Sequence, residues 1–104
     1  MLLPFPFTDL SATRVRPALV VSADEFHQEG DDLVVAMITS QERSGRGDYG
    51  LNDWQDAGLL HPSWVRSKLA TLSQGLVRFS PGRISSRDSD EIDRRLTWAL
   101  GING

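Results

Sequence analysis

A chain of 104 residues, 39% hydrophobic and 24% charged, has room for one domain around a single core, and its longest apolar runs are far too short to span a membrane. The absence of cysteine excludes disulfides, thiolate metal sites and a cysteine nucleophile. The only histidines, His27 and His61, have no metal-binding spacing, so neither metal nor cofactor is expected. A net charge of −3 and a pI near 5.2 argue against a broadly basic surface, yet four cations (Arg66, Lys68, Arg78, Arg83) and no acid occupy the stretch from Arg66 to Arg83.

The chain opens on "MLLPFPF", which is short, lacks a basic flank and is interrupted by Pro4 and Pro6. That makes a poor signal peptide, and a cytoplasmic location is expected. The two prolines place "LLPFPF" at a sheet edge or bulge, because each removes a ladder donor. "TDLSATR" supplies turn formers, and "PALVVS" reads as a short apolar strand with Pro17 at its first position. "ADEFHQEGDD" is a polar connection with room for one helical turn closing at Gly30. "LVVAMITS", Leu33 to Ser40, is the most β-like run in the chain.

"QERSGRGDYG" follows, a loop with three glycines and four charges. Asp53 to Leu60 suits either a strand-turn or a short helix. "SWVRSKLATL" and "GLVRFSPGRIS" each read as a strand. The period then changes: Ser85 and Ser86 are N-cap residues, and Asp88, Asp90 and Glu91 set acids in a first turn where the macrodipole favours them. Ile92, Leu96 and Ala99 or Leu100 recur at helical spacing, and Gly101 is a natural C-cap. The expected fold is mostly β with a C-terminal helix, a strongly bent small sheet or barrel capped by that helix, in one domain over residues 1–104.

Few residues offer chemistry. The glycine-rich loop lacks the Gly-Lys-Ser/Thr ending of a phosphate-binding loop, and its Arg46-Gly47-Asp48 triplet is read as coincidence. His27 and His61 suit an acid–base pair in kind, but isolated histidines more often sit in loops. Arg16 enters one predicted strand and Thr39 leaves another, beside Ser40 and Gln41. If those strands are neighbours, a guanidinium fork and a hydroxyl converge on one rim, a pairing suited to a phosphate. The competing reading is a salt-bridged rim arginine and a threonine capping a turn.

The order of "PFPFTDL", "RPALVVS", "ITSQ" (Ile38 to Gln41), "SWVRSKLATL" and "GRIS" before a last helix resembles the MazF/PemK family of bacterial toxins, from about Leu3 to Gly101. The resemblance implies a small SH3-like barrel of the CcdB/MazF type, forming a homodimer and silenced by a cognate antitoxin. It implies a metal-independent, sequence-selective endoribonuclease of single-stranded RNA. Ribose 2′-OH attack on the adjacent phosphate would leave a 2′,3′-cyclic phosphate and a 5′-OH. On the family's pattern the catalytic residues fall on Arg16, which stabilises the phosphorane charge and protonates the leaving oxygen, and Thr39, which orients the phosphate.

Ser40, Gln41, Arg66 and Lys68 are the implied substrate contacts. Ser67-Lys68 stands where many members carry an Asp-Gln or similar pair. Trp54, Trp64 and Tyr49 offer stacking faces for unpaired bases, worth about 1–3 kcal/mol per base when used. For Trp64 core or dimer packing competes with that role, for Tyr49 simple exposure does, and Trp98 reads as packing. The alternative function is a catalytically inactive toxin-like binding module or a CcdB-like topoisomerase poison.

Overall fold

The computed structural model describes residues 2–9, 12–73 and 82–102, with side chains described from Pro17 onward, Asp24 excepted. In chain order the elements are β1 (Leu2–Asp9), β2 (Ala12–Val20), α1 (Asp24–Glu29), β3 (Asp32–Thr39), β4 (Asp48–Gly50), β5 (Trp64–Ser73) and α2 (Ser86–Leu100). The strands form one antiparallel sheet in the order β1-β2-β3-β5-β4. Among the described residues the sheet ends at β1 and β4 rather than closing on itself. The strand expected in "GLVRFSPGRIS" falls largely on residues 74–81, outside the described residues.

The first hairpin is tighter than the sequence suggests. β1 runs through Asp9 and β2 begins at Ala12, so Thr8, Asp9 and Ala12–Arg14 belong to strands, not to a turn. Pro17 lies inside β2 because its partner on β1 is Pro4. Two residues without N–H groups can face each other only at a non-hydrogen-bonded pair. There Pro17 turns its missing donor toward β3, and the β2–β3 ladder accordingly ends at Ala18↔Met37. β1 itself lies at the sheet edge, where its prolines are tolerated.

Both sheet faces are apolar. Ala18, Leu33 and Val35 form one buried cluster, with Val20, Ala70 and Leu72 against it. Leu19, Ala36, Ile38, Tyr49, Leu51, Val65 and Ile92 belong to the other, which Leu96 also joins, so α2 covers that face. Between Asp53 and Leu59 the chain makes overlapping turns, closed by Ala57 N–H to Asp53 O (3.1 Å) and Leu59 N–H to Trp54 O (3.1 Å). Neither the strand nor the short helix suited to that stretch forms.

The helix is capped as its sequence predicts. Ser85 Oγ accepts the Asp88 N–H at 3.3 Å, and Gly101 closes the helix at φ 68°, the left-handed conformation glycine adopts without a Cβ penalty. Asp88, however, is not a surface acid serving the macrodipole: it is fully buried. Its Oδ1 accepts the Tyr49 hydroxyl at 2.6 Å and the Asn52 N–H at 3.1 Å, while Oδ2 accepts the Asp53 N–H at 2.9 Å. Asn52 Nδ2 donates in turn to Tyr49 Oη at 2.9 Å. Tyr49 is therefore a core residue, correcting its expected place in a mobile loop. Arg87 adds a two-pronged clasp on Asp53 at 2.7 and 2.6 Å.

Burial pushes the Asp88 pKa up, but the donors of Tyr49, Asp53 and Asn52 outweigh it and leave the carboxyl below its ordinary value. The Arg87 guanidinium holds Asp53 down at about 2, against an ordinary 3.8. Burial and the bond to Asp88 push Tyr49 up to about 12 from 10.0.

Depressed carboxyl pKa values stabilise the fold above the unfolded value and lose that contribution as pH falls through the folded one. Stability is therefore expected to erode between pH 3.8 and about 2 from Asp53, with Asp88 adding to the loss. Tyr49, raised, contributes fully below pH 10.0 and ceases to as pH climbs to about 12. Urea unfolding across this range should show both limbs, and Tyr49→Phe should abolish the alkaline one. Tyr49→Phe should cost about 1.5–3 kcal/mol at neutral pH as a lost hydrogen bond to a charged group. Asp88→Ala should cost more, about 3–5 kcal/mol, because three donors lose their acceptor together.

Candidate functional site

The face turned away from α2 gathers the candidate residues. Ile38 and Val65, opposite each other on β3 and β5, point into the core beneath α2. Their neighbours Thr39 and Trp64, also opposite each other, project from the other face by strand alternation. Across the next ladder Trp64 faces Gly50 and Arg66 faces Asp48. Carried on past its last pair, the β2–β3 register meets Arg16 at Thr39. The backbones of Thr39, Trp64 and Gly50 thus line up as one row across three strands, with Arg66 and Asp48 in the row beside it; the β2–β3 ladder ends two residues short of Arg16, whose side chain lies outside the described residues.

Two irregularities shape this end of the sheet. One is the ladder break beside Pro17. The other is a bulge: Ala36 pairs with Leu69 but Ile38 pairs with Val65, so Arg66, Ser67 and Lys68 all oppose Met37. Two extra residues preserve the alternation and keep Arg66 and Lys68 on the Thr39 face. Ser67 leaves β3 for β4 instead, donating its N–H (3.0 Å) and its hydroxyl (2.7 Å) to Gly47 O. Ser67 and Lys68 both lie within this bulge.

The Thr39 hydroxyl accepts the Gln41 N–H at 3.1 Å. It caps the turn out of β3, as the plainer reading of the sequence has it, and the capping leaves its own O–H proton to donate outward. Ser40 and Gln41 are exposed at the start of the loop, and Arg43 reaches the Gln41 side chain at 3.5 Å. At the loop's other end the Arg46 guanidinium stacks over the Trp98 ring at 4.2 Å. Trp98 is 47% exposed and so packs against that arginine outside the core.

Trp64 is half-buried, and Trp54 packs against the core cluster. Lys68 is exposed, whereas Arg66 is partly covered. Its Nε lies 3.5 Å from Asp48 Oδ1, buried and without a hydrogen-bond partner. His27 is hydrogen-bonded to Ser22 Oγ at 2.6 Å where α1 meets β3, and His61 lies in the exposed stretch before β5. Sequence reasoning missed Asp48, absorbed into a tripeptide motif. The alternation Asp48, Tyr49, Gly50, Leu51, with the second and fourth buried, was the available sign of a strand.

A family model described as PemK-like, MazF-like toxin of type II toxin-antitoxin system matches residues 3–100. The chain belongs to this family. Among solved structures it is similar to a mycobacterial endoribonuclease in complex with its cognate antitoxin, with TM-score 0.83 and 17% identity over 99% of this chain and 94% of that one. It is similar also to the Mycobacterium tuberculosis toxin MazF-mt6, with TM-score 0.77 and 18% identity over 97% and 99% of the two chains. A MazE-MazF structure from Deinococcus radiodurans matches with TM-score 0.80 and 18% identity over 98% and 94%. No curated protein matches the sequence. The expected MazF-type fold, mostly β with a C-terminal helix, is thereby borne out as a fold class. No helix among the described residues is long and apolar enough to cross a membrane.

Within this MazF/PemK-like toxin, Gly50 is what allows the Trp64 indole to lie down on β4: a Cβ there would come 2.9 Å from Trp64 Nε1. Gly50→Ala should displace the ring and cost about 1–3 kcal/mol as overpacking. Urea unfolding measures the loss, and a shifted Trp64 emission in a chain with Trp54 and Trp98 replaced by Phe reports the displacement.

Proposed function

We propose that this chain is the endoribonuclease toxin of a toxin-antitoxin pair, cutting single-stranded RNA at selected sequences without a metal. The observation that supports the reading is the β2–β3 register, which, extended two residues past its last pair Ala18↔Met37, would set Arg16 opposite Thr39 on adjacent strands. A phosphodiester held there receives an arginine fork on its non-bridging oxygens and a hydroxyl already oriented by the Gln41 N–H. The ribose 2′-oxygen attacks the adjacent phosphorus and gives up its proton. The bond to the 5′-oxygen breaks, and that oxygen takes up a proton. The products are a 2′,3′-cyclic phosphate and a 5′-OH.

Charge grows on the equatorial oxygens in the transition state, where a fixed guanidinium acts most strongly. Pro17, next in the chain, restricts the backbone that carries this group, so less freedom is lost when substrate binds. Exposed Lys68 and half-exposed Arg66 extend positive charge along the same face, with Ser40 and Gln41 at its rim. The similar mycobacterial endoribonuclease in complex with its cognate antitoxin supports the same partner class here, and the proposal includes a homodimer.

Purified protein incubated with long single-stranded RNA in EDTA should cut at selected sites and leave 5′-OH ends. Arg16→Ala and Thr39→Ala should each lower the rate by about 100-fold or more, the scale of losing one transition-state donor. Their unfolding midpoints should stay near wild type. No cleavage by folded wild-type protein would sink the nuclease reading and leave a binding module.

A further inference from the structure

Arg66 and Asp48 confront each other across the β4–β5 ladder without satisfying each other. Their ion pair is 3.5 Å long, the Arg66 Nε is buried with no hydrogen bond, and the side chains are 33% and 15% exposed. A carboxylate accepts at up to four lone-pair positions and a guanidinium donates from five N–H groups, so this pair leaves most of its capacity unused. The Nε is shielded from solvent, so a ligand meets this guanidinium through its terminal N–H groups, on the 33% of the side chain that is exposed. Trp64 lies one step along the same face, backed by Gly50 and half-buried, with ring surface left to meet a ligand. Thr39, the partner of Trp64, lies on the same face two residues along the ladder from Arg66.

A stacking face beside adjacent acceptor and donor groups fits the edge of a planar base. Guanine presents N2–H, N1–H and O6 in a row. The carboxylate takes the two N–H groups, and a terminal N–H of the guanidinium takes O6. Adenine, cytosine and uracil each present only one donor position on that edge, which would turn a carboxylate oxygen toward an acceptor. We infer that Asp48 and Arg66 are a base-reading pair that selects guanine in the nucleotide adjoining the phosphate held at Arg16 and Thr39, with Trp64 as its stacking face. This deepens the nuclease reading of the same site and rests on it.

Two measurements on the full chain keep the inference and the nuclease reading apart. The first maps the cut sites in a long single-stranded RNA and reads the share carrying guanine at a fixed position beside the cut. That share should dominate for wild type and fall toward the level in the RNA for Asp48→Asn, whatever the overall rate. The second measures binding of short RNAs blocked by a 2′-deoxy sugar at every candidate cut. These are identical but for one guanosine, inosine or adenosine, inosine lacking the N2 amine. Guanosine should bind about tenfold or more tighter than the other two, the scale of a bidentate base contact. Asp48→Asn and Arg66→Lys should each erase the difference, with thermal melts showing that both variants fold.

Guanosine-selective binding without cleavage would keep the base-reading pair and overturn the nuclease. Cleavage with no guanine preference, or with a preference unchanged in both variants, would overturn the inference and keep the nuclease. Equal binding of all three RNAs would likewise overturn it.

Discussion

The buried carboxylate of Asp88 is the point on which the rest of the molecule hangs. A charge inside a small core is tolerated only if donors surround it, and here they come from one short stretch of chain: the Tyr49 hydroxyl, the Asn52 amide and the Asp53 amide. Those donors belong to β4 and the turn after it, while Asp88 belongs to the first turn of α2. Satisfying one charge therefore fixes a helix onto a three-residue strand too short to hold its own place. The Arg87–Asp53 clasp and the Arg95 guanidinium, 4.8 Å over the Tyr49 ring, tighten the same junction from outside.

β4 matters because of what it carries on its other face. Tyr49 and Leu51 point toward α2, and alternation then turns Asp48 and Gly50 toward Arg66 and Trp64. The candidate site thus depends on a core interaction on the opposite side of the sheet. Its other border depends on Pro17, which ends the β2–β3 ladder beside Arg16 and leaves this rim of the sheet less tied than its middle. The β5 bulge adds to this by freeing Arg66–Lys68 from β3 without turning them to the wrong face.

The acidic balance of the chain looks adverse to an anionic substrate, and the structure relieves the conflict by placement. Asp88 is sequestered in the core and Asp53 is neutralised by Arg87. Glu91 is engaged by Arg94 and Arg95 on α2, on the far side of the sheet. On the candidate face Asp48 stands beside Arg66. Net charge describes how a protein meets solvent at long range, whereas a binding face is set by which charges share it.

Local signals in the sequence determined the β-rich order, the proline-marked edge strand, the β3 run, and the helix from its Ser85 cap to its Gly101 stop. These features follow from propensity, periodicity and capping within a few residues, so no distant contact is needed to read them. The adjacency of β2 and β3, on which the proposed use of Arg16 with Thr39 rests, was legible only as a family resemblance and a conditional, since it is not written in either strand. Tertiary structure alone decided that Asp88 is a core group, that Tyr49 serves it, that Trp98 holds Arg46, and that Asp48 faces Arg66. The reason is the same in each case: a charge or a ring takes its role from partners tens of residues away. Those partners are chosen by register, where a shift of one residue turns a side chain to the other face.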